Sequence, residues 1–189
     1  MYDLNKPVEY EREVVPSGKY ECCITNAEIK SSKNTSKQYI SLTFTIRKDV
    51  KQECQNKNVF ASIFKTNVYR RNGKIIRKAT YEALSPADKS QVIVTEEYQD
   101  NKIRALLLAQ DADEGNRKTT FNSIEEIVMF LNGMNCLVTI DAKEPDDYHE
   151  TEWNDVDFRN ISRTEHSTQL NASNPQVFSA DIDDSDLPF

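Results

Sequence analysis

Residues 38–47 read Q-Y-I-S-L-T-F-T-I-R, and apolar and polar side chains alternate through the whole segment. Successive side chains of a β-strand point to opposite faces, so this alternation predicts a half-buried strand. Its predicted core side chains are Ile40, Leu42, Phe44 and Ile46. Its other face is predicted to be a solvent-facing surface of hydroxyls and one ring, ending in a cation: Tyr39, Ser41, Thr43, Thr45 and Arg47.

Strands are also predicted on both sides of this segment. Residues 19–30 alternate until the pattern changes phase at Ala27, which indicates a β-bulge of the kind that bends a strand. Residues 57–65 form a third predicted strand with apolar groups on both faces. Phe60 and Phe64 share one of those faces, where they are either buried under an added layer or displayed for a ligand.

The rest of the chain adds an arm, helical material and two more strands. Asn72-Gly73 favours a two-residue hairpin turn, which predicts a basic β-arm over residues 66–78. Residues 97–110 and 124–132 have helical patterns, and the second has Asn122 or Ser123 as its candidate N-cap. Two further strands are predicted within residues 136–142 and 152–161. This order predicts a mainly β protein and is compatible with a five-stranded OB-fold barrel, a sandwich or an α+β sheet.

The composition divides the chain into four parts. Residues 1–17 are predicted to be a loosely attached N-terminal arm, and residues 18–163 the folded domain with a helical insertion over 97–132. Residues 164–178 are rich in Ser, Thr, Asn and Gln, which predicts a disordered linker. Residues 179–189 form the acidic tip.

The charge is distributed unevenly along the chain. The formal net charge is −7, yet residues 30–78 contain thirteen Lys and Arg residues and only Asp49 and Glu53 as acids. The remaining residues are therefore strongly acidic. A chain polarised in this way presents a cationic surface to a polyanion while its acidic parts face elsewhere.

The tip reads S-A-D-I-D-D-S-D-L-P-F and combines acidic residues that repel one another with three apolar residues at its end. Such a segment stays extended and solvated, and a Phe carboxylate suits a hydrophobic pocket rimmed by Lys or Arg on another protein. The alternative is an ordinary frayed acidic tail. The predicted partner-binding residues are Asp181, Asp183, Asp184, Asp186, Leu187, Pro188 and Phe189.

Two resemblances suggest a family. The tip resembles the C-terminal tip of bacterial and phage single-stranded DNA-binding proteins, where an acidic run ends in an apolar residue, Pro and Phe. Residues 16–30 (P-S-G-K-Y-E-C-C-I-T-N-A-E-I-K), 58–60 (N-V-F) and 130–140 (F-L-N-G-M-N-C-L-V-T-I) resemble a family of phage replication-module proteins. Those proteins are similar to single-stranded DNA-binding OB-folds, so the resemblance implies an OB-fold in this chain. The basic insertion at 66–78 departs from the family pattern.

Single-stranded DNA requires cations that follow the phosphates and rings on which bases stack. Only one region of the sequence combines them. Its predicted DNA-binding residues are Lys37, Tyr39, Arg47, Lys57, Phe60, Phe64, Lys65, Tyr69, Arg70, Arg71, Lys74, Arg77, Lys78 and Tyr81. For each ring the alternative is burial in the core, and for each cation a solvated surface. Trp153 is predicted to be core or partner-facing because acidic residues surround it.

The acidic residues also suggest two functions other than DNA coating. An acidic cluster suits Mg²⁺ in a nuclease, although its spacing fits no metal loop and a solvated loop is expected there. The cluster comprises Glu144, Asp146, Asp147, His149, Glu150, Glu152, Asp155 and Asp157. The other rival is an adaptor whose acidic parts mimic DNA. We predict no enzyme, no catalytic residue, no metal and no cofactor, since the sequence has no Gly-rich phosphate loop.

The expected role is a phage protein that coats single-stranded DNA and recruits replication, recombination or repair proteins through its tip. The sequence contains no run of about 18 apolar residues, so no membrane partner is expected and the predicted location is the bacterial host cytoplasm. The cysteines Cys22, Cys23, Cys54 and Cys136 lack zinc-site spacing and are predicted to be free, partly buried thiols. A homo-oligomer is compatible with the sequence.

Overall fold

The computed structural model describes residues 14–33, 35–112 and 114–166, and the chain in these ranges is mainly β. The tip 179–189, residues 167–178 of the linker and residues 1–13 of the arm lie outside the described residues. The strands are β1 (Gly18–Ser31), β2 (Gln38–Ile46), β3 (Asn58–Arg71), β4 (Lys74–Ile76), β5 (Val92–Tyr98), β6 (Asn135–Lys143), β7 (Trp153–Val156) and β8 (Ser162–Arg163). The helices are α1 (Lys78–Glu82), α2 (Pro86–Lys89), α3 (Asp100–Leu108) and α4 (Ile124–Leu131), with 3-10 turns at Glu114–Asn116 and Phe158–Asn160.

The strands form an open antiparallel sheet. Its order is β4-β3-β2-β1-β6-β7, and β5 pairs with β3 while β8 pairs with β6. The sheet curls so that β7 lies against β3. Within the described ranges no ladder of backbone hydrogen bonds joins these two strands. The curled sheet encloses a core that includes the four inward side chains predicted for β2, all of them fully buried.

The predicted bulge in β1 is confirmed. The register between β1 and β2 shifts between Ile24 and Asn26, and the buried side chains change from Ile24 to Ala27. A bulge leaves backbone groups without ladder partners. The turn after α4 bonds to them: Asn132 Oδ1 accepts from Ala27 N at 2.7 Å, and Gly133 N donates to Ile24 O at 2.7 Å.

The predicted third strand and the first half of the predicted arm are one continuous strand, β3. Its first half pairs with β2, and its second half pairs with β5 and, around the Asn72-Gly73 turn, with β4. The prediction of a simple two-stranded arm was therefore incomplete. Residues 92–98 supply a third strand because they bond to the edge of β3 that β4 leaves open.

The helices follow the predicted capping chemistry. Ser123 Oγ accepts a hydrogen bond from Glu126 N at 3.2 Å at the start of α4, and Gly133 follows its end with φ +82°. In α3 the buried side chains are Ile103 and Leu106, as the predicted apolar stripe requires. This helix begins later than predicted because Glu97 belongs to β5.

Both ends of the folded unit lie outside the predicted boundaries. Val15, assigned to the loose arm, is 1% exposed, and its backbone N–H and C=O bond to the Asn154 side chain at 3.0 and 2.7 Å. Thr164, assigned to the linker, is 5% exposed and donates its hydroxyl hydrogen to Glu21. The described ends of the chain are therefore packed parts of the domain.

The four cysteines are free thiols, as predicted. Cys22 and Cys136 are buried, whereas Cys23 and Cys54 are half-buried. Burial raises the pKa of Cys22 to about 12, so this thiol stays protonated and unreactive at neutral pH.

Candidate nucleic-acid interface

The outer faces of β2 and β3 form a strip of rings and hydroxyls, which we call the outer strip. Three cross-strand pairs build it: Tyr39 with Phe64, Ser41 with Ser62 and Thr43 with Phe60. Phe60 is 67% exposed and Phe64 is 51% exposed. Of the two alternatives that the sequence left open, burial or exposure of Phe60 and Phe64, the structure shows exposure. Within the described residues, no second layer covers this face.

The distance between the rings of the outer strip is set by the rise per residue of a β-strand. Phe60 and Phe64 are four residues apart on one face, which corresponds to about 13 Å. The half-buried Tyr39 lies beside Phe64, with ring centroids 5.5 Å apart and planes inclined at 34°. Between the two phenylalanines lies Ser62. The strip therefore offers two separated stacking surfaces with a hydroxyl between them.

A network of hydroxyl and amide groups continues the outer strip toward β1. Thr45 Oγ1 and Thr25 Oγ1 are 2.7 Å apart, and Thr45 Oγ1 is 2.7 Å from Asn58 Oδ1. These bonds tie three neighbouring strands together on the solvent side. The face is consequently polar and rigid around its exposed rings.

A cleft of about 620 Å³ opens at the Phe64 end of the outer strip. It is lined by Lys30, Ser31, Ser32, Lys33, Tyr39, Ser62 and Phe64. Lys30 is paired with Glu28 at 2.7 Å, whereas Lys33 is exposed in the loop between β1 and β2. Lys33 was missed by the sequence analysis, which treated the loop only as a turn. The sequence signal that could have identified Lys33 was its position in the loop before β2, the strand that carries Tyr39.

The basic arm comprises the second half of β3 with β4, β5, α1 and α2, and the two arginines of its β3 segment are ion-paired. Arg70 forms a bidentate ion pair with Glu97 through both guanidinium nitrogens. Arg71 Nη2 lies 2.5 Å from Asp88 Oδ1, and Lys37 Nζ lies 2.7 Å from Glu96 Oε1. The hydrogen bonds from Arg70, followed by that from Thr95, lower the pKa of Glu97 to about 2.

The remaining predicted cations differ in their surroundings. Lys65 donates to Gln38 Oε1 at 3.0 Å and lies 4.9 Å from the centre of the Tyr98 ring. Lys78 lies 3.5 Å from Glu82, and Lys57 is half-buried. Lys74 and Arg77 are exposed near the tip of the arm and form no ion pair with any described residue.

Arg47 is not a surface cation, and its predicted place at the solvent-facing end of β2 was wrong. Its strand ends at Ile46, and its side chain is 5% exposed. The guanidinium bonds to Asp49 at 2.6 Å and to the His166 carbonyl at 2.7 Å, and it lies 3.6 Å from Glu21. Arg47 is buried because the chain at residues 164–166 folds over it, which alternation along a strand cannot reveal.

Tyr69 was also misassigned as a displayed ring. It is 8% exposed because α1 places Tyr81 over it, with ring centroids 4.4 Å apart and planes inclined at 26°. Tyr81 is itself half-buried. The two tyrosines therefore form the small core of the basic arm rather than a surface for bases.

A second cleft, of about 610 Å³, opens at the Phe60 end of the outer strip. The loop between β6 and β7 forms its far wall, where the His149 and Trp153 rings are stacked with centroids 4.1 Å apart. Asp146 organises this loop, since its carboxylate accepts from His149 N and His149 Nδ1, each at 2.8 Å. Trp153 is half-buried and its Nε1 is enclosed without a described hydrogen-bond partner.

The acidic loop shows no arrangement that suits a metal. Among the described residues, no three His, Cys, Asp or Glu side chains are grouped so that they could hold an ion. None of the described helices is long and apolar enough to cross a membrane.

Residues 2–91 match the model of a family described as "Protein of unknown function (DUF669)". The matched part includes the outer strip and ends just before β5, so the β6–β7 loop lies beyond it. No curated protein matches the chain.

Proposed function

We propose that this protein binds single-stranded DNA without strong sequence preference, coating and protecting it during phage replication or recombination. The observation that carries the proposal is the display of Phe60 and Phe64 on an open polar face. Exposed rings cost free energy in water, and stacking on bases is a common reason for retaining them on a strand surface. Lys33 at one end of the strip supplies a cation for phosphates.

The proposal includes an OB-fold-like barrel. Closing the contact between β3 and β7 would complete a ring of strands in the order β1-β2-β3-β7-β6. In OB-folds the face of the second and third strands and the two adjoining loops bind oligonucleotides. In this proposal the outer strip corresponds to that face and its two clefts to those loops, which supports the assignment of the interface.

The acidic tip has a separate role in the proposal. It recruits replication, recombination or repair proteins and competes weakly with DNA for the basic surface, because tethering raises its local concentration. Deleting residues 179–189 should leave affinity for single-stranded DNA equal or higher while abolishing partner binding. Both can be measured with labelled oligonucleotides and pull-down from host lysate. Loss of DNA binding in the truncated chain would contradict this division of roles.

A salt titration with fluorescent oligonucleotides tests the central proposal. The full-length protein should bind single strands more tightly than a duplex of the same sequence, and its affinity should fall as salt rises because phosphate contacts release counterions. Equal affinity for both forms, or no binding to either, would overturn the proposal. Cleavage of the oligonucleotide in the presence of Mg²⁺ would instead favour the nuclease.

A further inference from the structure

The cleft at the Phe60 end differs in chemistry from the one at the Phe64 end. The Phe64 cleft is lined by Lys30 and Lys33. The Phe60 cleft is lined by carboxylates and rings and by no Lys or Arg among the described residues: Val14, Asn58, Val59, Phe60, His149, Glu150, Thr151, Glu152, Trp153 and Asn154. One end of the same interface therefore attracts phosphates, and the other repels them.

The rings of the Phe60 cleft suit a planar group. The Phe60 ring is 67% exposed on one side, and the His149–Trp153 stack, with planes only 15° apart, forms the other. A cleft of about 610 Å³ has room for a nucleobase. Aromatic side chains hold bases by stacking, and stacking by itself is tolerant of sequence.

The charged groups that line this cleft are acceptors, and they lie beside two groups that can also donate, the Asn58 amide nitrogen and the Thr151 hydroxyl. The Asn154 amide is already engaged by the Val15 backbone on both its oxygen and its nitrogen. Asn58 Oδ1 bonds to Thr45. Glu150 and Glu152 are both exposed, and an ionised carboxylate only accepts hydrogen bonds.

We propose that the Phe60 cleft receives one base that carries an exocyclic amino group, held by the rings and by Glu150 or Glu152. Carboxylates accept hydrogen bonds from such amino groups, as they do from cytosine N4. Thymine has no amino group, and its one donor, N3–H, lies between two carbonyl oxygens that repel a carboxylate. The inference rests on the proposed function and deepens it. It predicts that coating is tolerant of sequence overall but prefers cytosine to thymine at this one position.

The single tryptophan makes the cleft directly observable. Trp153 is the only Trp of the chain, so fluorescence excited at a wavelength that tyrosine does not absorb reports on this cleft. Full-length protein is titrated with labelled dC and dT oligonucleotides of equal length at neutral pH, and anisotropy is recorded together with Trp fluorescence. We expect dC to bind about five- to tenfold more tightly, as one favourable base contact allows, and to quench Trp153 more strongly.

A pair of isosteric variants separates hydrogen bonding from charge. Glu150→Gln with Glu152→Gln removes the two cleft carboxylates, and Glu144→Gln with Asp147→Asn removes the same charge from exposed residues of the same loop outside the cleft. Both variants should bind dT somewhat better because acidic repulsion falls. Only the cleft variant should lose the preference for dC.

The outcomes distinguish this inference from the function on which it rests. Binding detected by anisotropy, with equal affinity for dC and dT or no change in Trp153 fluorescence, would overturn the cleft assignment and leave DNA coating intact. No binding of either oligonucleotide would overturn both. An equal loss of preference in the two variants would also reject the cleft, because a general charge effect would then explain it.

Discussion

The outer strip supplies rings and the basic arm supplies cations, the two kinds of group that a single-stranded nucleic acid needs. The two regions differ in whether those groups are accessible or already bonded within the protein. The rings of the outer strip, Phe60 and Phe64, are exposed and uncovered. The arginines of the arm, Arg70 and Arg71, are already bonded to carboxylates. The rings, whose exposure the sequence left open, are accessible to a ligand. The arginines, which lie in a stretch where the sequence indicated uncompensated positive charge, are paired with carboxylates.

The difference shows that charge density along a sequence is not the charge that a fold displays. The acids that pair with three of the cations within residues 30–78 come from residues that follow this stretch, Glu96 and Glu97 on β5 and Asp88 on α2. Strand pairing and the helix on the arm bring them into contact with β3. Stacking surfaces, rather than net charge, are therefore expected to dominate affinity.

The largest expected effect comes from removing both rings. Phe60→Ala with Phe64→Ala should weaken binding of a single-stranded oligonucleotide at least about thirtyfold, because each stacked base is worth about 1 to 3 kcal/mol. Fluorescence anisotropy measures the loss. The control, Ile93→Ala with Met129→Ala, removes equally exposed apolar groups elsewhere and should leave affinity unchanged. If the control variant weakened binding as much, the rings of the outer strip would have no specific role in binding.

Arg47→Ala should affect stability rather than binding. Removing one partner of a buried ion pair leaves Glu21 uncompensated, and we expect a loss of about 3 to 5 kcal/mol in the free energy of unfolding. Urea denaturation measures it, and Lys48→Ala, at an exposed neighbour, is the control. If the folded fraction of the Arg47 variant bound DNA tenfold more weakly, Arg47 would belong to the interface after all.

The arm can be tested with two variants of equal charge change. Lys74→Ala with Arg77→Ala removes exposed cations and should reduce the slope of log affinity against log salt by up to about 1.4, at roughly 0.7 per phosphate contact on single strands. Arg70→Ala with Arg71→Ala removes paired cations and should change the slope less. The opposite ranking, measured in the same titration, would mean that DNA displaces the carboxylates from the arginines.

The smallest expected effect is on acid stability. The pKa of Glu97 is lowered from 4.5 to about 2, so its pairing with Arg70 stabilises the fold fully above the ordinary value and is lost as pH falls toward 2. Glu97→Gln should therefore lower Tm at neutral pH, with the difference from wild type shrinking between pH 5 and pH 2. Glu82→Gln, at an exposed carboxylate 3.5 Å from Lys78, should show little such trend.

Several features were predictable because they depend on neighbours in the chain. The alternation in β2, the phase change in β1, the Asn72-Gly73 turn and the Ser123 cap all involve residues within a few positions of one another. Each is confirmed by the register, backbone angle or hydrogen bond that it implies. For the candidate site, the same local pattern placed Phe60 and Phe64 together on one face.

Other features depend on contacts between distant parts of the chain. Arg47 is enclosed by residues 164–166, Tyr69 is covered by Tyr81, and β5 pairs with β3 across the intervening arm. Periodicity along one strand cannot tell which face receives a cover, since both faces of β3 carry apolar groups. The Phe60 cleft was equally hidden from the sequence, because it joins β3 to the β6–β7 loop, which is far from β3 in the chain.

The sequence by itself determined the mainly β class, the positions of most strands and helix ends, and the pairing of rings on one face, since side-chain period and capping are local properties. Only the tertiary structure decided which rings stay exposed, which cations are neutralised and where the two clefts open. Exposure and electrostatic pairing depend on what packs against a surface, and here the covering residues come from segments far away in the chain.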